Sequence, residues 1–146
     1  MPGIHHAAIV TADPERSMRF WRDGLGFVEL FDQTFTGDWP TLFGAKTDRL
    51  RSIFLGDPNT PDTGIVELVM FDDTQPGPPG SDGPAPGFFL LSLRRDVDAS
   101  LANLAEIGFD EGVRRISVPA PGGKTVPMAV INAPDGVRVE LIGSPA

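Results

Sequence analysis

The N-terminal stretch GIHHAAIVTADPERSMRFWRDGLGF constrains the fold more than any other part of the sequence. It opens with apolar residues in the pattern of a β-strand, whose neighbouring side chains point to opposite faces. Asp13 can then cap a helix that begins at Pro14, where a proline loses no hydrogen bond. The spacing of Phe20 and Trp21 continues one apolar helix face as far as Gly24, which favours termination. The stretch therefore predicts a strand, a helix and a turn into a second strand.

A similar arrangement recurs in the second half of the chain. Residues 87–109 predict a strand that leads, through a cap at Asp96, into a helix that ends near Gly108. In each half a later strand has the sequence Val-Glu-Leu, centred on Glu67 in the first half and on Glu140 in the second. Two such copies indicate an internal duplication of one structural unit.

A segment rich in proline and glycine separates the two copies. Residues 73–86 have the sequence DTQPGPPGSDGPAP, which excludes both a helix and regular strand pairing. We therefore predict a single α+β domain made of two βαβββ modules, residues 1–72 and 87–146, that form curved mixed sheets around a cavity. The segment between them is a linker.

The remaining elements follow from periodicity and from turn residues. Glycine and proline at Gly37, Pro40 and Gly44 predict a long loop over residues 36–47. Its Trp39 and Phe43 either tuck beneath the loop or line a binding cleft. Further strands are predicted over 25–35, 49–55, 65–71, 88–93, 112–118, 126–131 and 137–142, and a second helix over 96–107.

Composition excludes several classes of partner. The chain has 146 residues, no cysteine and a net charge of −8, so disulfides and thiolate ligands are absent and nucleic acid is not an expected partner. No run approaches the roughly 18 apolar residues of a membrane span. The sequence has no basic and apolar N-terminal signal, and we therefore expect a cytoplasmic protein without a membrane partner.

Strand alternation predicts that two carboxylates and one imidazole face the cavity. Val66 and Leu68 suit the helix side of their strand, which turns Glu67 inward. By the same alternation, Glu140 on the last strand and His6 on the first are expected to face inward. The neighbouring His5 is expected to face away. Buried carboxylates are costly unless they are paired, hydrogen-bonded or bound to a metal.

Two explanations remain open for these acids. Together with the imidazole they form a mixed ligand set that suits Zn, Ni, Co, Mn or Fe. Alternatively, each glutamate pairs with an arginine such as Arg51 or Arg138. On the fifth strand, the position equivalent to that of His6 holds Leu90, which cannot bind a metal.

The motif HHAAIVTADPERSMRFWRDGLGF resembles the first module of the vicinal oxygen chelate superfamily, which includes glyoxalases, bleomycin resistance proteins and extradiol dioxygenases. Both Val-Glu-Leu strands and the second capped helix extend the resemblance over nearly the whole chain. It implies a homodimer and a divalent metal held by residues of strands one, four, five and eight. His6, Glu67 and Glu140 match three of these ligands. Leu90 replaces the second histidine, so the resemblance does not extend to dioxygenases that use two histidines and one carboxylate.

Two main functions are compatible with this pattern. The sequence favours a metal-dependent isomerase, epimerase or lyase, in which Glu67 or Glu140 moves a proton on a small substrate with vicinal oxygens through an enediolate-like intermediate. The alternative is a metal-free protein that sequesters a small antibiotic-like molecule, and a dimeric domain without activity is a third possibility. The candidate substrate-binding residues are Trp39, Phe43, Arg51, Phe88, Leu90, Arg94 and Arg138.

Overall fold

The structure is a computed structural model, and it describes residues 3–72, 74, 77 and 84–146. The chain divides into two compact units, Met1–Gly77 and Pro78–Ala146. The division falls within the predicted linker 73–86, most of which lies outside the described residues. Within the part of the chain that is described, no helix has both the length and the apolar character needed to cross a membrane.

The first unit is a four-stranded mixed sheet, and helices connect β1 to β2 and β2 to β3. The sheet order is β1-β4-β3-β2, with β1 parallel to β4 and the other neighbours antiparallel. The elements are β1 (His6–Val10), α1 (Pro14–Met18), a π-helical continuation of α1 (Arg19–Gly24), β2 (Val28–Thr36), α2 (Trp39–Phe43), β3 (Arg49–Gly56) and β4 (Ile65–Phe71).

The second unit repeats this topology. Its sheet order is β5-β8-β7-β6, with β5 parallel to β8. The elements are β5 (Leu91–Arg94), α3 (Val97–Glu106), β6 (Arg114–Ala120), β7 (Lys124–Asn132), a 3₁₀ turn (Pro134–Gly136) and β8 (Arg138–Ile142). The predicted α+β class with two curved mixed sheets is therefore confirmed.

The core of the first unit lies between its helix and one face of the sheet. Asp13 caps α1 as predicted, because its side chain accepts a hydrogen bond from the Arg16 amide at 3.0 Å. The helix then buries Phe20 and Trp21 completely, and Leu68 on the sheet is equally buried. Because one face of the sheet packs against the helix, the opposite face is available to form a site.

The core of the second unit has the same plan. Asp96 caps α3 by accepting from the Ala99 amide at 3.0 Å. Val97 and Leu104 of this helix are buried, as are Val139 and Leu141 on the sheet. Glu140 lies between these two buried strand residues and consequently points to the opposite face of the sheet.

Several predicted elements differ from the observed ones in type or bounds, and two of these differences bear on the site. The loop predicted over 36–47 contains α2, whose N-terminus is capped by Asp38 and whose C-terminus is Gly44 with a positive φ of 69°. The fifth strand begins at Leu91 and not at Phe88. Its pairing with β8 begins at Leu91 and Val139, so Phe88 and Phe89 lie ahead of the paired segment.

Candidate functional site

The sheet face opposite α1 in the first unit forms a cleft of about 850 Å³. Strand alternation directs His6, Phe54 and Glu67 to this face, from β1, β3 and β4 respectively. Six of the described residues that line the cleft are aromatic: Phe31, Phe35, Trp39, Phe43, Phe54 and Phe71.

One wall of the cleft is the short helix α2. Its Trp39 and Phe43 rings are stacked, with centroids 5.7 Å apart and an interplanar angle of 15°. The Trp39 Nε1 group also donates a hydrogen bond to the Phe35 carbonyl oxygen at 3.3 Å. Of the two explanations for these loop aromatics, the structure therefore favours lining of the cleft.

The strands contribute a second group of stacked rings. Phe31 and Phe54 have ring centroids 4.3 Å apart. The His6 ring packs against the same Phe54 at 5.4 Å, and the His5 ring lies 6.0 Å from it. A cleft with such flat apolar surfaces suits a planar ligand, because aromatic rings gain most from offset or edge contacts with another ring.

The polar end of the cleft is centred on Glu67. Its Oε2 atom accepts a hydrogen bond from Ser52 Oγ at 2.5 Å, and its Oε1 atom lies 3.4 Å from His6 Nε2. The Glu67 side chain is 14% exposed and that of His6 is 38% exposed. Both groups are therefore accessible to a molecule in the cleft, and the carboxylate is the more sheltered of the two.

His5 is not among the described residues that line the cleft, which agrees with the expectation from alternation, but its ring contacts that of His6. Its Nδ1 atom lies 2.8 Å from Nδ1 of His6, within hydrogen-bonding distance. Because β1 begins at His6, the residue before it is not bound by the alternation of the strand. The polar end of the cleft is therefore lined by Ser52, Glu67 and His6, and His5 contacts His6 from beside the lining.

Glu140 lies in a comparable environment within the second unit. Its Oε1 atom accepts a hydrogen bond from Ser92 Oγ at 2.8 Å, and the two residues are paired in the β5–β8 register. Arg138 shares this face of β8, and its guanidinium carbon lies 4.9 Å from the centre of the Phe89 ring. Phe89 precedes β5 and is not part of the strand.

The other predicted residues of the second unit lie around the ends of β5. Phe88 is 79% exposed, Leu90 is half-buried and directly precedes the strand, and Arg94 is exposed at the end of it. In the first unit the structure brings together His6, Glu67, Trp39 and Phe43.

Arg51 does not line the cleft, which corrects its predicted role there. It lies on the opposite face of β3 from its neighbour Ser52 and donates to both carboxylate oxygens of Asp32, at 2.9 and 2.7 Å. The alternative in which Arg51 pairs with Glu67 is also wrong, because the partner of Arg51 is Asp32 and Glu67 contacts Ser52 and His6.

This ion pair gives stability that depends on pH. The hydrogen bonds from Arg51 lower the pKa of Asp32, so the stabilisation is present above the ordinary aspartate pKa and disappears as the pH falls through the lowered value. Because the Arg51 side chain is 44% exposed, we expect Asp32→Asn to cost only about 0.5–1 kcal/mol near neutral pH. Urea unfolding should show this difference shrinking towards zero in strong acid. A difference that persists there would contradict the assignment.

Neither unit by itself supplies a complete set of metal ligands. Among the described residues of each unit, no three His, Asp or Glu side chains are grouped so as to hold an ion. The first unit contributes His6 and Glu67, and the remaining oxygen of Glu67 is bonded to Ser52. Since protein metal sites ordinarily use three or four protein ligands, these two do not fit such a site, and we derive no step through a metal.

Two βαβββ modules, with a histidine and a glutamate in a ligand-sized cleft, define a glyoxalase-like protein. The family model of the Glyoxalase/Bleomycin resistance protein/Dioxygenase superfamily matches residues 3–141. The chain belongs to this superfamily, which the resemblance of its N-terminal motif had predicted.

Individual relatives agree with this assignment. The chain is 33% identical over 149 residues to the Lactoylglutathione lyase-like protein terB of Aspergillus terreus, with 97% of this chain and 75% of the relative covered. TnmS3, an antibiotic binding protein from Streptomyces sp. CB03234, is 26% identical with a TM-score of 0.58, over 100% of this chain and 98% of the other. A glyoxalase family protein from Bacillus cereus has the same fold, with a TM-score of 0.70 at 15% identity over 98% and 94% of the two chains.

Proposed function

We propose that this protein binds a planar, mostly apolar small molecule in the cleft of the first unit, with a hydrogen-bond donor of the ligand directed at Glu67. The observation that carries the proposal is one sheltered carboxylate among six aromatic side chains. Aromatic walls select for a flat apolar body, whereas a carboxylate fixes its orientation through a donor group.

The dimensions of the cleft support this proposal. Its volume of about 850 Å³ falls in the range of roughly 300–1,000 Å³ that is typical of small-molecule sites. The ionisable groups among the described lining residues are His6, Lys46 and Glu67, so most of the ligand surface would meet apolar groups. The similarity to TnmS3, an antibiotic binding protein, agrees with a role in binding an antibiotic-like small molecule.

A simple aromatic alcohol tests the proposal. By isothermal titration calorimetry we expect 2-naphthol to bind with a dissociation constant below about 100 µM, equivalent to about −5.5 kcal/mol. Trp39→Ala should weaken this binding roughly tenfold, because it removes one stacking surface. Pretreatment with a chelator should leave the affinity unchanged, because the proposed contact with the ligand does not use a metal ion. The two oxygens of Glu67 contact the side chains of Ser52 and His6. Absence of binding at millimolar 2-naphthol would contradict the proposal.

The second candidate function is an isomerase, epimerase or lyase. It is favoured by the position of the Glu67 carboxylate inside an apolar cleft, next to an imidazole. There Glu67 can take a proton from a carbon beside a carbonyl group and return it to the neighbouring atom through an enediolate-like intermediate. The relative named lactoylglutathione lyase-like is compatible with this class of reaction. Incorporation of deuterium from heavy water into a hydroxyketone would support it.

The predicted metal and the predicted homodimer remain proposals, and the metal separates these two functions further. A divalent ion on His6, Glu67 and Glu140 requires ligands from both units. Stoichiometric metal in protein purified without chelator, if lost in Glu140→Gln, would support the metal-dependent enzyme. Light scattering of the same sample would give the oligomeric state.

A further inference from the structure

We infer that His5 is a positioning residue, which holds His6 in the tautomer that carries its proton on Nε2 and directs this proton at Glu67. The observation is a continuous series of close polar contacts. Ser52 Oγ lies 2.5 Å from one oxygen of Glu67, His6 Nε2 lies 3.4 Å from the other, and the Nδ1 atoms of His6 and His5 are 2.8 Å apart.

The directions of these contacts follow from the chemistry of each group. An ionised carboxylate can only accept, so Ser52 must donate to Glu67 and the proton of neutral His6 must lie on Nε2. The Nδ1 atom of His6 then carries a lone pair. It can face Nδ1 of His5 at 2.8 Å only if that atom carries a proton. The two neutral histidines are therefore expected in opposite tautomers.

The reverse arrangement is unfavourable. If His6 donated from Nδ1 to His5, its Nε2 lone pair would face a carboxylate oxygen 3.4 Å away without a proton between them. Packing also restricts rotation of the two imidazole rings, because both lie against Phe54, at centroid distances of 5.4 and 6.0 Å. His5 therefore reinforces the orientation that Glu67 requires.

This assignment gives each polar group at the end of the cleft a separate role. It rests on the proposed function, because these roles concern a ligand bound in the cleft. Ser52 donates to Glu67, the Nε2 proton of His6 faces it, and Glu67 is the acceptor that remains for a ligand. A ligand must then bring its own donor, such as a phenolic hydroxyl or an amine, to this point. If a proton is transferred in the cleft, Glu67 is the base and His6 stabilises its charge.

Nitrogen NMR of the two imidazole side chains tests the inference in ligand-free protein, so its outcome does not depend on whether the cleft binds 2-naphthol. The chain has two histidines, so one variant assigns both sets of resonances. When the resonances show that both rings are neutral, we expect His5 to be protonated on Nδ1 and His6 on Nε2. Any other pair of tautomers would overturn the inference.

Variants of His5 separate positioning from a structural role. His5→Phe keeps a ring beside Phe54 but has no donor, and it should lower the ratio of Nε2-protonated to Nδ1-protonated His6 roughly three- to tenfold. His5→Asn places an amide donor near the original Nδ1 position and should restore the ratio. Ser92→Ala is the matched control, because it removes the equivalent serine contact to Glu140 in the second unit and should leave the ratio unchanged. An unchanged ratio in His5→Phe would show that Glu67 alone sets the tautomer.

Discussion

Replacing Trp21 by alanine is expected to lower the free energy of unfolding by about 3–5 kcal/mol. Trp21 is 1% exposed and lies edge-on to Phe20 and Phe27, with ring centroids 5.1 and 5.5 Å away. The removed indole would leave a cavity that these rings cannot fill without moving. Because domains are usually stable by about 5–15 kcal/mol, the loss approaches the whole stability of a small unit. Urea unfolding followed by circular dichroism measures it.

The second tryptophan of the chain provides the control. Trp39 lies on the five-residue helix α2, is half-buried and stacks on one side against Phe43, which is 58% exposed. Trp39→Ala should therefore change the free energy of unfolding by no more than about 1 kcal/mol, although it weakens ligand binding. Equal destabilisation by the two variants would contradict the assignment of Trp21 to the core and Trp39 to the cleft.

The duplicated fold could be predicted because its signals are local and repeated. Aspartate caps at Asp13 and Asp96 begin the two helices, and a Val-Glu-Leu strand ends each module. Simple alternation also predicted that Glu67 points away from the helix side. The structure agrees, because the neighbouring Val66 and Leu68 are buried on that side. Family resemblance then extended the same pattern to nearly the whole chain, as the family model confirms.

Other features depend on contacts that periodicity does not encode. The helix α2 has five residues, too few to show a helical period, although Asp38 followed by Pro40 could have indicated its cap. Ser52 in the apolar strand LRSIFL was a detectable signal, because alternation places it on the same face as Phe54. The position of His5 could not be derived in this way, since it depends on where β1 begins.

The predicted role of Arg51 in the cleft was wrong for the same reason, because it depends on contacts that periodicity does not encode. As a charged residue in an apolar strand it resembled a candidate for substrate binding, but it alternates with Ser52 and shares its face with Ile53, which is 1% exposed. Its partner Asp32 is 19 residues away in sequence and is brought near by the antiparallel register of β2 and β3. Pairing across strands therefore decided the role of this side chain, and the sequence alone did not specify that pairing.

Replacing Glu67 by leucine is expected to weaken the binding of 2-naphthol at least about tenfold. A hydrogen bond to a charged acceptor contributes about 1.5–3 kcal/mol, and the apolar variant offers no acceptor at this point. Glu67→Gln should have an intermediate effect, because its amide oxygen can still accept. Titration calorimetry of 2-naphthol and of 2-methoxynaphthalene against each variant separates the polar contact from apolar burial. The methoxy compound lacks the donor and should bind all three proteins with similar affinity.

The equivalent glutamate of the second unit provides the matched comparison. Glu140 also accepts a hydrogen bond from a serine, and Glu140→Gln changes its charge without changing its size. If the cleft of the first unit is the whole binding site, this variant should bind 2-naphthol as the unmodified protein does. Equal losses in the Glu67 and Glu140 variants would contradict this assignment. A loss confined to the Glu67 variants, with the methoxy compound unaffected, would support a carboxylate that recognises the ligand through its donor group.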